Sequence, residues 1–192
     1  MKKCLILSVF ALSLSLLIGS PAMSETNPTV TFETTKGNFV IELYPNEAPV
    51  TVANFLEYVN SGFFAGTIFH RVIPNFMIQG GGFTFDMSEK ENNAPIKIES
   101  NNGLKNDVGT VAMARTNDPN SATSQFFVNV KDNDFLNFTA ETMQGYGYAV
   151  FGKVTEGMEV IEAIEGVETK QYGPHGDVPV EPIIIEKASV NQ

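Results

Sequence analysis

The stretch Phe69 to Gly82, FHRVIPNFMIQGGG, sets an arginine inside a run whose other members are apolar. Arg71 is one of two arginines in the chain, and Phe69, Val72, Ile73, Phe76, Met77 and Ile78 surround it. Read as two strands, Ile68 to Ile73 and Phe76 to Gln79, turning at Pro74-Asn75, the run puts alternate side chains on opposite faces. Arg71 and Ile73 then share one face, His70 and Val72 the other, and Met77 shares its face with Gln79. A register with Arg71 beside Gln79 gathers a guanidinium, an amide and a thioether on one patch of wall above a surface groove. That patch holds a permanent cation and directed donors beside apolar surface, with no nucleophile. On residues alone, an arginine snorkelling from a barrel wall explains the pattern as well.

Other chemistry-bearing residues offer less. Gly80-Gly81-Gly82 lacks the following Lys-Ser/Thr of a phosphate loop and predicts a bulge or a tight strand exit. Asp132-Asn133-Asp134 starts like a calcium loop but lacks its glycine and closing glutamate, and predicts a turn. Ser121, Thr123 and Ser124 have no positioned base in sequence, so hydrolase chemistry has no support. His70 is expected to be a hydrogen-bonded interior histidine and His175, in Gly173-Pro174-His175-Gly176, a loop residue. Two histidines without a partnering cysteine are too few for a zinc site. Neither a metal nor a cofactor is expected.

The elements that must position the patch are mostly strands. Thr29 to Thr35 and Phe39 to Tyr44 alternate around Lys36-Gly37-Asn38, which predicts a hairpin. Further strands are expected at Ile96 to Ile98, Thr110 to Ala114, Phe126 to Val130, Tyr148 to Lys153 and Ile183 to Val190. In Pro49 to Ser61 the residues Val52, Phe55, Leu56 and Val59 keep a helical spacing, with Pro49 suited to the first turn and Gly62 to the exit. A second helix is expected around Met158, Ile161 and Ile164. The helices do not alternate with the strands, so the fold class is mainly β: a closed eight-stranded antiparallel barrel capped by two α-helices. The expected interior residues are Phe32, Val40, Ile78, Met113 and Phe126. In the pair Phe126-Phe127 one ring points each way, with Phe126 in the core and Phe127 on the groove.

The chain's first 24 residues read differently. Met1-Lys2-Lys3, the apolar run Cys4 to Ile18, and Gly19-Ser20-Pro21 followed by Ala22 and Ser24 have the layout of a cleaved secretory signal. Cleavage after Ala22 fits as well as after Ser24; the boundary is set at Ser24, leaving one domain over residues 25–192. The signal carries the sole cysteine and two of the 12 Lys+Arg residues. Ten basic residues then face 22 acidic ones, a net charge of −12. That balance argues against nucleic acid and anionic membrane surfaces as partners.

FHRVIPNFMIQGGG, with SQFFV at Ser124 to Val128 and YAVFGKV at Tyr148 to Val154, resembles the cyclophilins, which are peptidyl-prolyl cis/trans isomerases. The likeness runs from about Thr29 to Val190. With the signal segment and ARTNDPNSATSQFF it is most similar to the exported bacterial branch, which implies a periplasmic or secreted protein acting on proline-containing exported polypeptides. The resemblance implies that Arg71 is the catalytic arginine and that Gln79 helps hold it. It implies that Phe76, Met77, Phe127 and Leu136 wall a proline pocket, and that Ala114, Arg115 and Gln125 line the groove for the residues before proline. Tyr148 stands where many relatives have histidine. Phe135 stands where eukaryotic relatives often have tryptophan, which this chain lacks entirely, so weak cyclosporin binding is expected. A monomer is expected. The alternative is a non-catalytic binding module or holdase that captures proline segments in the same groove; capture alone would not require Arg71.

Overall fold

In the computed structural model, which describes residues 27–191, the alternating runs pair as antiparallel strands. β1 (Thr29–Thr34) and β2 (Gly37–Leu43) form the predicted hairpin, and β3 (Thr67–Ile73) and β4 (Met77–Thr84) form the second. β5 (Thr110–Met113), β6 (Phe126–Asn129), β7 (Val150–Glu156) and β10 (Ile185–Val190) complete one sheet, in the order β10-β1-β2-β7-β5-β6-β4-β3. The sheet curls until its edges meet. The Phe69 N–H donates to the Ile183 carbonyl at 3.0 Å, and the Gly66 N–H to Ile185 at 2.8 Å. The result is a nearly closed barrel of the expected class.

A dense aromatic interior fills it, as expected for a barrel of this size. Phe32 stacks on Phe39 with ring centroids 5.1 Å apart, and Phe55, Phe64, Phe69 and Phe126 pack around them. Two helices close the barrel. α1 (Pro49–Asn60) buries Val52, Phe55 and Val59, and α2 (Met158–Glu165) buries Val160, Ile161 and Ile164. α1 begins at Pro49, whose missing N–H costs nothing in the first turn. A distant carboxylate takes the orphan donors there: Glu99 accepts from the Val50 N–H at 3.0 Å, and from the Thr51 N–H and hydroxyl at 2.8 and 2.7 Å.

Several expectations need correction. Val40 is not interior. Register pairs Phe32 with Phe39, so Phe39, Ile41 and Leu43 point inward while Val40 and Glu42 face out. The run FVIEL alternates in either phase, but the inward phase that takes Val40 would also bury Glu42, at a large desolvation cost. Ile96 to Ile98 is not a strand; only Ile96 makes an isolated bridge, to Ala122. The three glycines do not end a strand but lie within β4, where the pairing with β3 slips its register, so the bulge reading holds.

A separate hairpin of β8 (Thr169–Tyr172) and β9 (His175–Pro179) was not expected, and it places His175 in a strand. β8 is largely exposed and polar, and β9 buries only the adjacent Val178 and Pro179, so neither strand carries an apolar alternation to read. It lies over His70. The His70 ring meets Phe83 at 4.7 Å, and Phe83 meets the His175 ring at 5.4 Å. His70 is 5% exposed, but its Nδ1 has no hydrogen-bond partner. It sits between barrel wall and hairpin, while its neighbour Val72 belongs to the interior. The register slip between Phe69 and Arg71 breaks the alternation assumed from sequence. The predicted signal, residues 1–24, lies outside the described residues.

Candidate active site

The strand register builds the site as a row. Arg71 on β3 lies opposite Gln79 on β4, Gln79 opposite Phe127 on β6, Phe127 opposite Ala112 on β5, and Ala112 opposite Val150 on β7. The adjacent row, Val72, Ile78, Val128 and Val111, points into the barrel. By the strand's period of two, the first row must then face outward. It does so as a second apolar cluster of Met77, Ala112, Phe127, Leu136 and Val150, with Ile73, Phe76, Leu104, Ala114 and Tyr148 packed against it. The sequence-predicted residues Phe76, Met77, Ala114, Phe127, Leu136 and Tyr148 are thus brought together, with Arg71 and Gln79 at the polar end. The split of Phe126 inward and Phe127 outward is as expected.

Two rings frame the floor. Tyr148 meets Phe127 nearly edge-on with centroids 5.5 Å apart. On the other side Phe76 lies almost parallel to Phe135 at 5.6 Å. A single 3-10 turn, Asp134–Leu136, aims Leu136 inward and leaves Phe135 exposed. Sequence showed Phe135 as a substitution; the structure shows it as an exposed lid against Phe76.

The polar end is arranged differently from the expectation. Among the described residues the one ion pair joins Lys187 to Glu33, so no carboxylate neutralises the half-buried Arg71. Gln79 lies beside Arg71, but its Nε2 donates to Gln125 Oε1 at 3.0 Å. Gln125 reaches it by crossing β4 at Gly82, where a Cβ would come within 2.5 Å of the Gln125 Cγ. The close approach therefore requires glycine, a role the sequence reading did not assign.

Arg115 is largely engaged by backbone. Its Nε donates to the Gly147 carbonyl at 2.8 Å, and its terminal nitrogens donate to Thr116 at 2.9 Å and Met143 at 3.2 Å. The guanidinium sits 4.9 Å above the Tyr148 ring. It fastens the loop before β7 and lies against Tyr148 while still lining a cleft at that end of the groove. That cleft, of about 1000 Å³, opens between Thr116-Asn117 and Thr142-Gln144. Next to the apolar floor lie three buried asparagines, Asn106, Asn129 and Asn133, that the sequence reading passed over. Their signal was an amide, Asn129, in the apolar strand FFVN. Among the described residues no group of three or more His, Cys, Asp or Glu converges to hold a metal.

The arrangement offers a directed cation, an amide and a dry apolar shelf, which is what stabilising a twisted tertiary amide needs. Comparison with known proteins gives the family. The family model for cyclophilin type peptidyl-prolyl cis-trans isomerases matches residues 29–190. The chain is 56% identical to peptidyl-prolyl cis-trans isomerase B of Escherichia coli over 163 residues, 85% of this chain and 99% of that one. It is 52% identical to peptidyl-prolyl cis-trans isomerase A of Dickeya dadantii over 186 residues, 96% of each chain. A Cryptosporidium parvum cyclophilin type isomerase, solved in the presence of the dipeptide Ala-Pro, superposes with a TM-score of 0.71 at 28% identity. That match covers 85% of this chain and 99% of the other.

Proposed function

The chain belongs to the cyclophilin-type peptidyl-prolyl cis-trans isomerases, and from that premise we propose that Arg71 is its catalytic group. Phe76, Met77, Phe127 and Leu136 form the shelf that holds the substrate proline. The observation that carries the reading is the row Arg71, Gln79, Phe127, which sets a guanidinium without a carboxylate partner at the rim of an apolar patch.

The mechanism follows from the bond being rotated. Amide resonance opposes rotation by about 18–20 kcal/mol. Uncatalysed X-Pro exchange takes roughly tens to hundreds of seconds, so about a thousand turnovers per second requires lowering the barrier by about 6 kcal/mol. No covalent bond breaks and no proton needs to move. As the amide twists, conjugation is lost and the prolyl nitrogen becomes pyramidal with a localised lone pair. Arg71 donates to that lone pair, and a charge-assisted hydrogen bond of this kind contributes about 1.5–3 kcal/mol. The remainder comes from holding the ring on a water-poor surface, where the same donor acts more strongly than in water.

Gln79, tethered to Gln125, gives the polar rim a fixed partner beside Arg71. Ala114, Arg115 and Gln125 border the path of the residues before proline, and Tyr148 closes the shelf. No cofactor enters the reaction. Substrates are proline-containing polypeptides, and the Ala-Pro dipeptide used with the Cryptosporidium relative supports that class. The signal-like start of the sequence supports exported clients and a periplasmic location, with residues 25–192 as the mature domain. Phe135 offers a ring face but no indole N–H, so cyclosporin binds weakly.

The test is the cis/trans exchange rate of a short Ala-Pro peptide with wild type and Arg71→Ala. Loss of one charge-assisted hydrogen bond lowers kcat/KM by about 10- to 150-fold. An unchanged rate in Arg71→Ala would remove Arg71 from the mechanism.

A further inference from the structure

We infer that Asn106, Asn129 and Asn133 form a positioning network that sets the separation of the proline pocket's walls and thereby the rate of isomerisation. The inference rests on the pocket assigned above. The three side chains are 1%, 0% and 2% exposed. Asn129 lies opposite Met77 and two residues beyond Phe127, so it projects on the pocket's own face of the sheet. A leucine there would simply extend the apolar cluster. An amide buried at that place is costly unless each of its groups is paired.

The pairing runs in a chain. Asn129 Nδ2 donates to the Thr110 hydroxyl at 3.0 Å and to Asn106 Oδ1 at 3.3 Å, which anchors the chain on β5. Asn133 Nδ2 donates to Asn129 Oδ1 at 2.8 Å and to the Phe76 carbonyl at 2.9 Å. Asn106 Nδ2 donates to the Leu136 carbonyl at 3.2 Å and points, at a longer 3.4 Å, toward that of Tyr148. The Asn133 N–H in turn donates to the Asn106 carbonyl at 2.8 Å. The ends of the network are thus main-chain oxygens of three pocket walls: Phe76, Leu136 and Tyr148.

Those walls come from three places outside the named strands. Phe76 ends the β3–β4 turn, Leu136 closes the 3-10 turn, and Tyr148 ends the loop before β7. The main chain ties Phe76 to the end of β6, where the Val130 N–H donates to its carbonyl at 3.2 Å, and ties Leu136 to Tyr148, whose N–H donates to the Leu136 carbonyl at 2.9 Å. The buried amides link these two pairs to each other. Hydrogen bonds constrain distance and direction where apolar contacts do not, so a satisfied amide chain gives the pocket one width. Rotation about the X-Pro bond needs the ring held while the acyl side turns. A wall displaced by an ångström would therefore cost rate before it cost binding.

The experiment compares Asn133→Ala, Asn133→Ser, Arg71→Ala and Glu99→Ala in the Ala-Pro exchange assay, with urea unfolding of each. Glu99 caps α1 and touches no pocket residue named here, so Glu99→Ala supplies a destabilised protein with its pocket intact. The expected result is a kcat about 10-fold lower in Asn133→Ala, with KM within about twofold, and an unchanged kcat in Glu99→Ala. Asn133→Ser keeps a short polar group there and reads the same way if the alanine protein does not fold. The inference is overturned if Arg71→Ala is impaired while the Asn133 variants lose no more kcat than Glu99→Ala. In that case the asparagines support the fold alone. A full rate in Arg71→Ala would instead overturn the pocket itself, and this inference with it.

Discussion

At Arg71 the choice of arginine over lysine matters as much as the charge. A guanidinium is planar and presents its donors in a fixed fork, whereas an ammonium is a strongly hydrated point charge on a flexible stem. Arg71→Lys is therefore expected to keep the local charge yet recover little of the exchange rate lost in Arg71→Ala. Peptide exchange kinetics on the two variants would check it, and a lysine protein near the wild-type rate would count against a directed donor. Gly82 makes a second prediction of the same kind. A methyl at Gly82 must push Gln125 aside, which releases Gln79 beside Arg71. Gly82→Ala should fold and bind peptide but turn over several-fold more slowly, and a wild-type kcat would show the Gln79–Gln125 tether to be dispensable. Two groups of this site were legible because each was out of place: a cation in an apolar run, and paired phenylalanines that a strand must divide. The other wall residues were named only through the family resemblance. The hydrogen-bond partners were not legible. Whether Gln79 turns to Arg71 or Gln125, and which carbonyls Arg115 meets, depends on loop paths that no local pattern encodes.

Single elements show the same division between local and distant causes. The α1 helix was readable from its apolar stripe, from Pro49 and from Gly62, all of which lie within the segment. Its N-terminal cap was not, because Glu99 arrives from 48 residues along the chain. That carboxylate accepts three hydrogen bonds at the positive end of the helix dipole. Glu99→Ala is expected to lower stability by about 1–2 kcal/mol, seen as a lower urea midpoint with the slope unchanged. A midpoint equal to wild type would mean that water replaces the cap without loss. Strand β2 failed in another way. Both phases of FVIEL alternate, and only Glu42, on the same face as Val40, reveals which one faces out. The β8–β9 hairpin was invisible because its pairing, not its apolar content, defines it. What it covers is more informative than its own sequence, since it closes over His70.

The burial of His70 gives the whole fold a dependence on pH. Desolvation chiefly, with smaller contributions from His175 and the Arg71 charge, lowers its pKa from 6.5 to about 4. The folded protein therefore keeps His70 neutral in a range where the unfolded chain protonates it. A histidine depressed in this way contributes its full stability above the unfolded value of 6.5. As pH falls from there toward 4, the unfolded state binds the proton that the native state refuses, and stability is lost. Below about 4 both states are protonated, and this residue adds no further slope. The whole span corresponds to about 3 kcal/mol, a large part of what holds a domain of this size together. Catalysis should not share the dependence. An arginine keeps its charge throughout physiological pH, and rotation of an amide transfers no proton. Between about pH 6.5 and 9 the exchange rate is thus expected to stay flat. Urea unfolding from pH 7 to 5, in wild type and His70→Gln, separates the histidine from the many surface carboxylates common to both proteins. The wild type should lose stability more steeply over that window. Parallel curves would mean that His70 takes up its proton in the folded state, with the hairpin yielding to admit water.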